Sequence, residues 1–356
     1  MPRSRSFLMT SSKEELSIKR VNREETLKKS VRLVQATLAF GLALAGLAAP
    51  AAAEDWPTRP ISLVIPFGPG SGTDLVARII SAPLSEKLGQ TVIVQNAGGA
   101  GGLIGVTRVA KAAPDGYTLV VGSLDTFAQS PSLRKEPPYD PIKDFTPAGL
   151  AVVQPLILVV RKDLPVSNMR EFAAYVKTNQ AKMQFGSAGV GTAPHLVCSE
   201  ITKAMGAKVT HISYRGSAEA MQDLIAGHLD FYCALAVSVV PLLKSKTLKA
   251  IAILTEDRSP ILPDVPTAKE QGFDVGDFYY WMGLFFPKNT PAPIVAKFNA
   301  ALKDVLDRPD LQTRLRTVAT TVVRPDRRSP EYLRSYLASE IKKWAEAIKA
   351  SGITPN

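Results

Sequence analysis

The sequence predicts an α/β fold in two domains, with the chain crossing between them twice and a cleft left between them. Three observations carry this expectation. The length of 356 residues exceeds what one ordinary core holds. From Trp56 onward, short apolar runs alternate with helical patterns, as in parallel strands joined by helices. Two longer apolar runs, 150–160 and 278–286, can each pass from one domain into the other, and two crossings make a hinge. The expected division is a leader over 1–53, a first domain from 54–155 plus 278–356, and a second domain over 156–277.

In the first domain, 61–66 reads as a buried strand. A helix over 73–87 follows, with Leu75, Ile79, Ile80, Leu84 and Leu88 on one side. A second strand covers 91–94. The glycine-rich stretch 98–102 leads into a helix ending near Ala113, and after the turn Pro114-Asp115-Gly116 comes a third strand, 117–121. Residues 131–147 hold five prolines and read as an extended surface connection. Beyond the long strand, Ser167 is expected to cap a helix reaching Asn179. A second series then alternates strands at 185–187, 209–212, 229–233 and 248–253 with helices at 192–205, 217–225 and 237–245. The final stretch is mainly helical, with one helix over 293–306. Ser329-Pro330-Glu331 opens another, whose Leu333, Leu337, Ile341, Trp344 and Ile348 form an apolar stripe that Gly352 ends.

The leader reads as a secretory signal. Lys28, Lys29 and Arg32 precede an apolar run from Leu33 to Leu47, and Ala51-Ala52-Ala53 places small residues before a cleavage after Ala53. The run is shorter than the ~20 residues that span a bilayer. Residues 1–53 carry nine basic and four acidic side chains, so +6 of the formal +11 remains from Glu54 onward. That mild positive field favours anionic solutes. There is no Lys/Arg block of the kind that binds nucleic acid. Cys198 and Cys233 form no CxxC or Cys/His cluster, and no metal or other cofactor is expected. They read as two buried free thiols, with a single disulfide as the other reading.

Three segments carry the candidate chemistry. In the first, Phe67-Gly68-Pro69-Gly70-Ser71-Gly72-Thr73-Asp74, a glycine loop joins a strand to a helix. Glycines let amides approach a ligand, and the helix start adds unpaired N–H groups and the positive end of its dipole, which suits a carboxylate. Thr73 or Asp74 is expected to cap that helix. The second, from Gly186 through Ala188, Gly189, Val190 and Thr192 to His195, repeats the device in the other domain. Two such helix starts facing each other would hold an anion from both sides, and His195 could donate to it. In the third, Tyr214-Arg215-Gly216-Ser217, Arg215 could meet a second carboxylate. Catalytic residues are not expected. GxxxxGK, GxSxG and HExxH are absent, and none of His195, His211 and His228 is placed by spacing beside a nucleophile.

Taken in order, these segments resemble the tripartite tricarboxylate transporter substrate-binding family, also called Bug receptors. The likeness runs over 54–356. It includes Trp56-Pro57, the 67–74 loop, 96–105, Pro114-Asp115-Gly116-Tyr117-Thr118, Tyr139-Asp140-Pro141, Asp144-Phe145-Thr146-Pro147, His195-Leu196, Tyr214-Arg215-Gly216, Pro263-Asp264-Val265-Pro266-Thr267 and Trp281 with Gly283-Leu284. The resemblance implies a type II-like periplasmic binding protein fold, a monomer, and no catalysis. It implies delivery of a small carboxylate to the permease subunits of a membrane transporter, or in some members signalling, as to a sensor kinase. It also implies that Ser123, Asp125, Thr126 and Phe127, with Tyr214 to Ser217, complete the pocket wall. Phe127 stands where His or Asn is common, which favours an apolar or aromatic ligand portion. Ala234 stands where many members have Asp, which argues against an amino group on the ligand there.

Overall fold

The structure is a computed structural model and describes residues 56–351. The leader, the cleavage after Ala53 and the stop at Gly352 lie outside them. Three short apolar strands pair in parallel: β1 (Ile61–Ile65) lies between β2 (Val92–Asn96) and β3 (Thr118–Ser123). Helices α1 (Gly72–Leu88) and α2 (Leu103–Ala110) make the crossovers. The second series is built the same way. Strand β5 (Gln184–Ser187) pairs in parallel with β6 (Thr210–Ser213) and β7 (Phe231–Leu235). Its helices are α3 (Met169–Asn179), α4 (Ala193–Ala204), α5 (Ser217–Ala226) and α6 (Ala236–Lys244).

One 17-residue strand, β4 (Phe145–Arg161), links the two series. Its first part pairs antiparallel with β9 (Tyr279–Pro287), which pairs in turn with β3. From Leu156 onward β4 pairs instead with β7 and β8 (Leu248–Ile253). Nearly every β4 side chain is buried, which is why this stretch is almost continuously apolar instead of alternating. The remaining helices are α7 (Ala292–Leu306), α8 (Pro309–Arg316) and α9 (Pro330–Ser351). The α9 stripe packs inward through Leu333, Leu337, Trp344 and Ile348, and Trp281 Nε1 on β9 donates to Glu340 on α9 at 3.0 Å.

Several expectations are corrected. Strand β4 starts at Phe145 and so contains Pro147. The register shifts between Pro147 and Gly149, and a residue without an N–H is tolerated at such an irregularity. The 131–147 stretch is not simply a surface connection, since it follows a π-helical turn (Leu124–Gln129) and buries Tyr139. Asn168, not Ser167, caps α3, accepting from Glu171 N. Helix α8 and the two-residue strand β10 (Thr321–Val322) were not expected. Cys198 and Cys233 are not free thiols but form a disulfide with Cα atoms 5.6 Å apart. Helix α4 packs on β7, which brings two residues 35 apart in sequence face to face. Spacing alone does not reveal that.

Candidate functional site

The first glycine loop is fastened by a buried carboxylate. Neither Thr73 nor Asp74 caps α1. Ser71 does, its Oγ accepting from Asp74 N at 3.3 Å. Asp74 reaches back to accept from Gly70 N at 2.9 Å, from Asn96 Nδ2 at 2.9 Å and from Arg78 Nε at 3.0 Å. Burial alone would raise its pKa, but these bonds from Arg78, Gly70 and Asn96 outweigh that and hold it below the usual carboxylate range. Asp74 therefore shapes the loop. The amides of Gly72 and Thr73, in the first helical turn, have no intrahelical acceptor.

The second loop is fastened by a hydroxyl and two imidazoles. Ser187 Oγ accepts from Gly189 N at 3.1 Å and lies 2.7 Å from His211 Nε2. His195 stacks on His211 with ring centroids 4.0 Å apart, and its Nδ1 accepts from Gly191 N at 3.1 Å. Burial lowers the pKa of both rings, His211 to about 4 with a further push from His195. Both are therefore neutral near pH 7. The Ser187–His211 pair is not visible in the sequence spacing. Ser187 is fully buried and outside the cavity wall described below, so the pair fastens the loop.

Four helix starts meet at one cavity. Its wall takes Ser71, Gly72 and Thr73 from α1, Pro194 from α4, Ser217 from α5, and Leu235 and Ser238 from the start of α6. Phe67, Asp125, Ala188, Met221, Tyr232 and Tyr280 complete it. The volume of about 20 Å³ accommodates roughly one water molecule. Each glycine loop touches a neighbouring segment, the first the α5 start and the second the 98–102 stretch. A Cβ on Gly70 would lie 3.6 Å from Ala218 Cβ, and one on Gly189 would lie 3.0 Å from Gly101 Cα. Gln154 on β4 braces the α6 start by accepting from Val237 N at 3.1 Å. Two hydroxyls in the wall, Tyr232 Oη and Ser238 Oγ, are buried without a hydrogen-bond partner among the described residues. An unserved polar atom costs about 1–3 kcal/mol, so these two favour a polar group arriving in the cavity.

A larger groove of about 570 Å³ lies between α7 and the start of α9, beside Lys303, Glu331 and Arg334. No unpartnered buried side-chain polar atom lines it among the described residues. The cleft cavity is the better candidate on that ground.

The sequence-expected residues separate into groups. Phe67, Ser71, Gly72, Thr73, Asp125, Ala188 and Ser217 reach the cavity wall. Gly70, Gly189 and Gly216 lie where the loops touch. Asp74, Thr192 and His195 hold loop geometry, Thr192 Oγ1 donating to Gly189 O at 2.7 Å. Ser123 and Thr126 bond each other in the interior. Phe127 does not face the cavity. It is fully buried and stacks on Phe285 at 4.1 Å, so its expected contact with an aromatic ligand portion has no basis. Val190 is 56% exposed, and Arg215 is exposed outside the wall. Tyr214 is tied to Asp223 at 2.5 Å. Ala234 packs in a core cluster, and the acid of the cavity is Asp125 instead. Pro194, Met221, Tyr232, Leu235, Ser238 and Tyr280 were missed. A tyrosine inside each apolar strand, Tyr232 and Tyr280, was the signal available.

A family profile described as tripartite tricarboxylate transporter family receptor matches residues 76–353. The chain belongs to this receptor family. A curated relative, the UPF0065 protein in the TAR-I ttuE-ttuC' intergenic region of Agrobacterium vitis, is 36% identical over 304 residues, covering 85% of this chain and 87% of that protein. Among solved structures, the periplasmic binding protein BugD is 37% identical with a TM-score of 0.82, over 84% of this chain and 99% of that one. MatC from Rhodopseudomonas palustris with bound malate is 39% identical with a TM-score of 0.79, over 82% and 100%. The family likeness establishes the two-domain periplasmic binding protein fold and a solute-binding receptor. No helix among the described residues is long and apolar enough to cross a membrane.

Proposed function

We propose that the chain is a periplasmic receptor that closes on a small carboxylate between its two glycine loops and hands it to a tripartite tricarboxylate-type membrane transporter. The observation that carries this is the meeting of the α1, α4, α5 and α6 starts at one cavity holding two unserved hydroxyls. Helix starts offer first-turn amides and positive dipole ends to an anion. The malate bound in the related MatC structure supports a carboxylate of that size. A cavity with room for one water means that loading requires the loops to part and re-close around the solute. The disulfide supports an oxidising compartment, and so export through the leader. In this reading the lobes are 54–155 plus 278–356 and 156–277, with β4 and β9 as the hinge.

The test is calorimetric titration of the purified chain with malate and other mono- and dicarboxylates. Saturable one-to-one binding of at least one is expected. A folded sample that binds none of them would contradict the reading.

A further inference from the structure

Among the described residues, the cavity wall carries one acid, Asp125, and no basic side chain. Asp125 projects from the π-helical turn. Its Oδ1 accepts from Ala193 N, the first residue of α4, at 2.6 Å, and its Oδ2 accepts from the Tyr280 hydroxyl at 2.9 Å. The protein's own carboxylate thus takes one of the amides that sequence reasoning left for the ligand. Thr73, Tyr280 and Asp125 share the cavity wall, so the α1 start lies beside the Asp125–Tyr280 pair. A ligand carboxylate brought to the Gly72 and Thr73 amides therefore comes close to a second, buried carboxylate with no cation between them. Like charges that near disfavour joint ionisation.

We propose that the cleft takes its carboxylate together with one proton, which Asp125 carries. This rests on the receptor reading above. The proton comes from solvent and sits on Oδ2, which then donates to Tyr280 Oη. Oδ1 continues to accept from Ala193 N. Asp125 is thus a selectivity residue, set so that the negative charge sealed in the closed cleft is the ligand's.

The surroundings agree. Burial pushes the Asp125 pKa up to about 7, with the bonds from Ala193 and Tyr280 only partly opposing it. Tyr280 from β9 and Tyr232 from β7 face it as neutral phenols whose own pKa values burial raises. Helix α4 brings the neutral His195. From α1, Asp74 is neutralised by Arg78. Helix α9, which also packs on this turn, brings Tyr336 and Glu340, the latter bonded to Trp281. Arg134, just beyond the turn, acts on Tyr139. None of these supplies Asp125 with a hydrogen-bonded cation among the described residues.

The experiment is calorimetry of malate binding in buffers of differing ionisation enthalpy, at about pH 6 and about pH 8, either side of the Asp125 transition. Close to one proton taken up per malate is expected at the higher pH and little at the lower. Affinity should fall by up to about tenfold per pH unit above 7. Asp125→Asn keeps the shape, its Oδ1 accepting from Ala193 N and its Nδ2 facing Tyr280. It is expected to bind malate without uptake and without the pH slope. Malate binding by the unaltered chain with no uptake at about pH 8, or equal uptake in the Asn variant, would overturn the proposal and leave the receptor reading standing. If the Asn variant does not fold, the buffer series on the unaltered chain decides alone. If no carboxylate in the panel binds at either pH, both readings fall.

Discussion

Gly189→Ala is the sharpest probe of the closing seam. Gly189 has φ +131, and a Cβ there would sit 3.0 Å from Gly101 Cα and 3.2 Å from Gly101 N, both backbone atoms of the facing loop. Backbone cannot swing aside as a side-chain tip can, so one methyl props the 186–195 loop away from the 98–102 stretch. Overpacking a close contact costs about 1–3 kcal/mol. If the clash exists only when the cleft is closed, the whole cost falls on binding, a loss of about five- to 150-fold in affinity. Gly189 is buried and its φ +131 strains any side chain, so the melt without ligand should fall by that local strain, and the affinity should fall further. The assay is titration of the best carboxylate against both proteins, alongside thermal melts. Unchanged affinity with an unchanged melt would refute the claim that these loops close on the ligand.

The companion change Gly70→Ala should be milder. Its Cβ would make only an ordinary 3.6 Å contact with Ala218, so the φ +76 backbone strain of about 1–2 kcal/mol dominates, read as a modest loss in the same titration. Reducing the Cys198–Cys233 bond should lower unfolding stability by about 3–4 kcal/mol, measured by denaturant melts with and without reductant. The pH dependence of stability has two opposed limbs. Asp125 has its pKa raised from 3.8 to about 7, so its contribution is full below pH 4 and lost as pH rises to 7; Asp125→Asn should abolish that loss in melts across the window. His211 has its pKa lowered from 6.5 to about 4, so its contribution is present above pH 6.5 and lost as pH falls toward 4; His211→Gln should flatten the acid limb.

The alternation of strands and helices was legible because both kinds of segment pack on one core, and their periodicity survives in the residues. The long β4 run was legible for the same reason, although its start was hidden by Pro147, which reads as a breaker when its neighbours cannot be seen. The glycine loops at 67–74 and 186–195 were legible because few side chains other than hydrogen fit such close approaches. The contents of the cavity were not. Tyr232 and Tyr280 sit in apolar strands, and only the pairing of those strands shows that both face the α1 start. The family resemblance implies a pocket position for Phe127, whereas the π-helical turn rotates it onto Phe285. The disulfide depended on how α4 lies across β7, a tertiary fact absent from the spacing of two cysteines.

The most direct measurement is a crystal structure of the chain grown with the tightest carboxylate from the panel. One carboxyl group is expected within hydrogen-bonding distance of the Gly72 and Thr73 amides, with Tyr232 or Ser238 serving its far side. Finding the carboxylate instead in the α7–α9 groove beside Lys303 and Arg334, with the two glycine loops unengaged, would contradict the account.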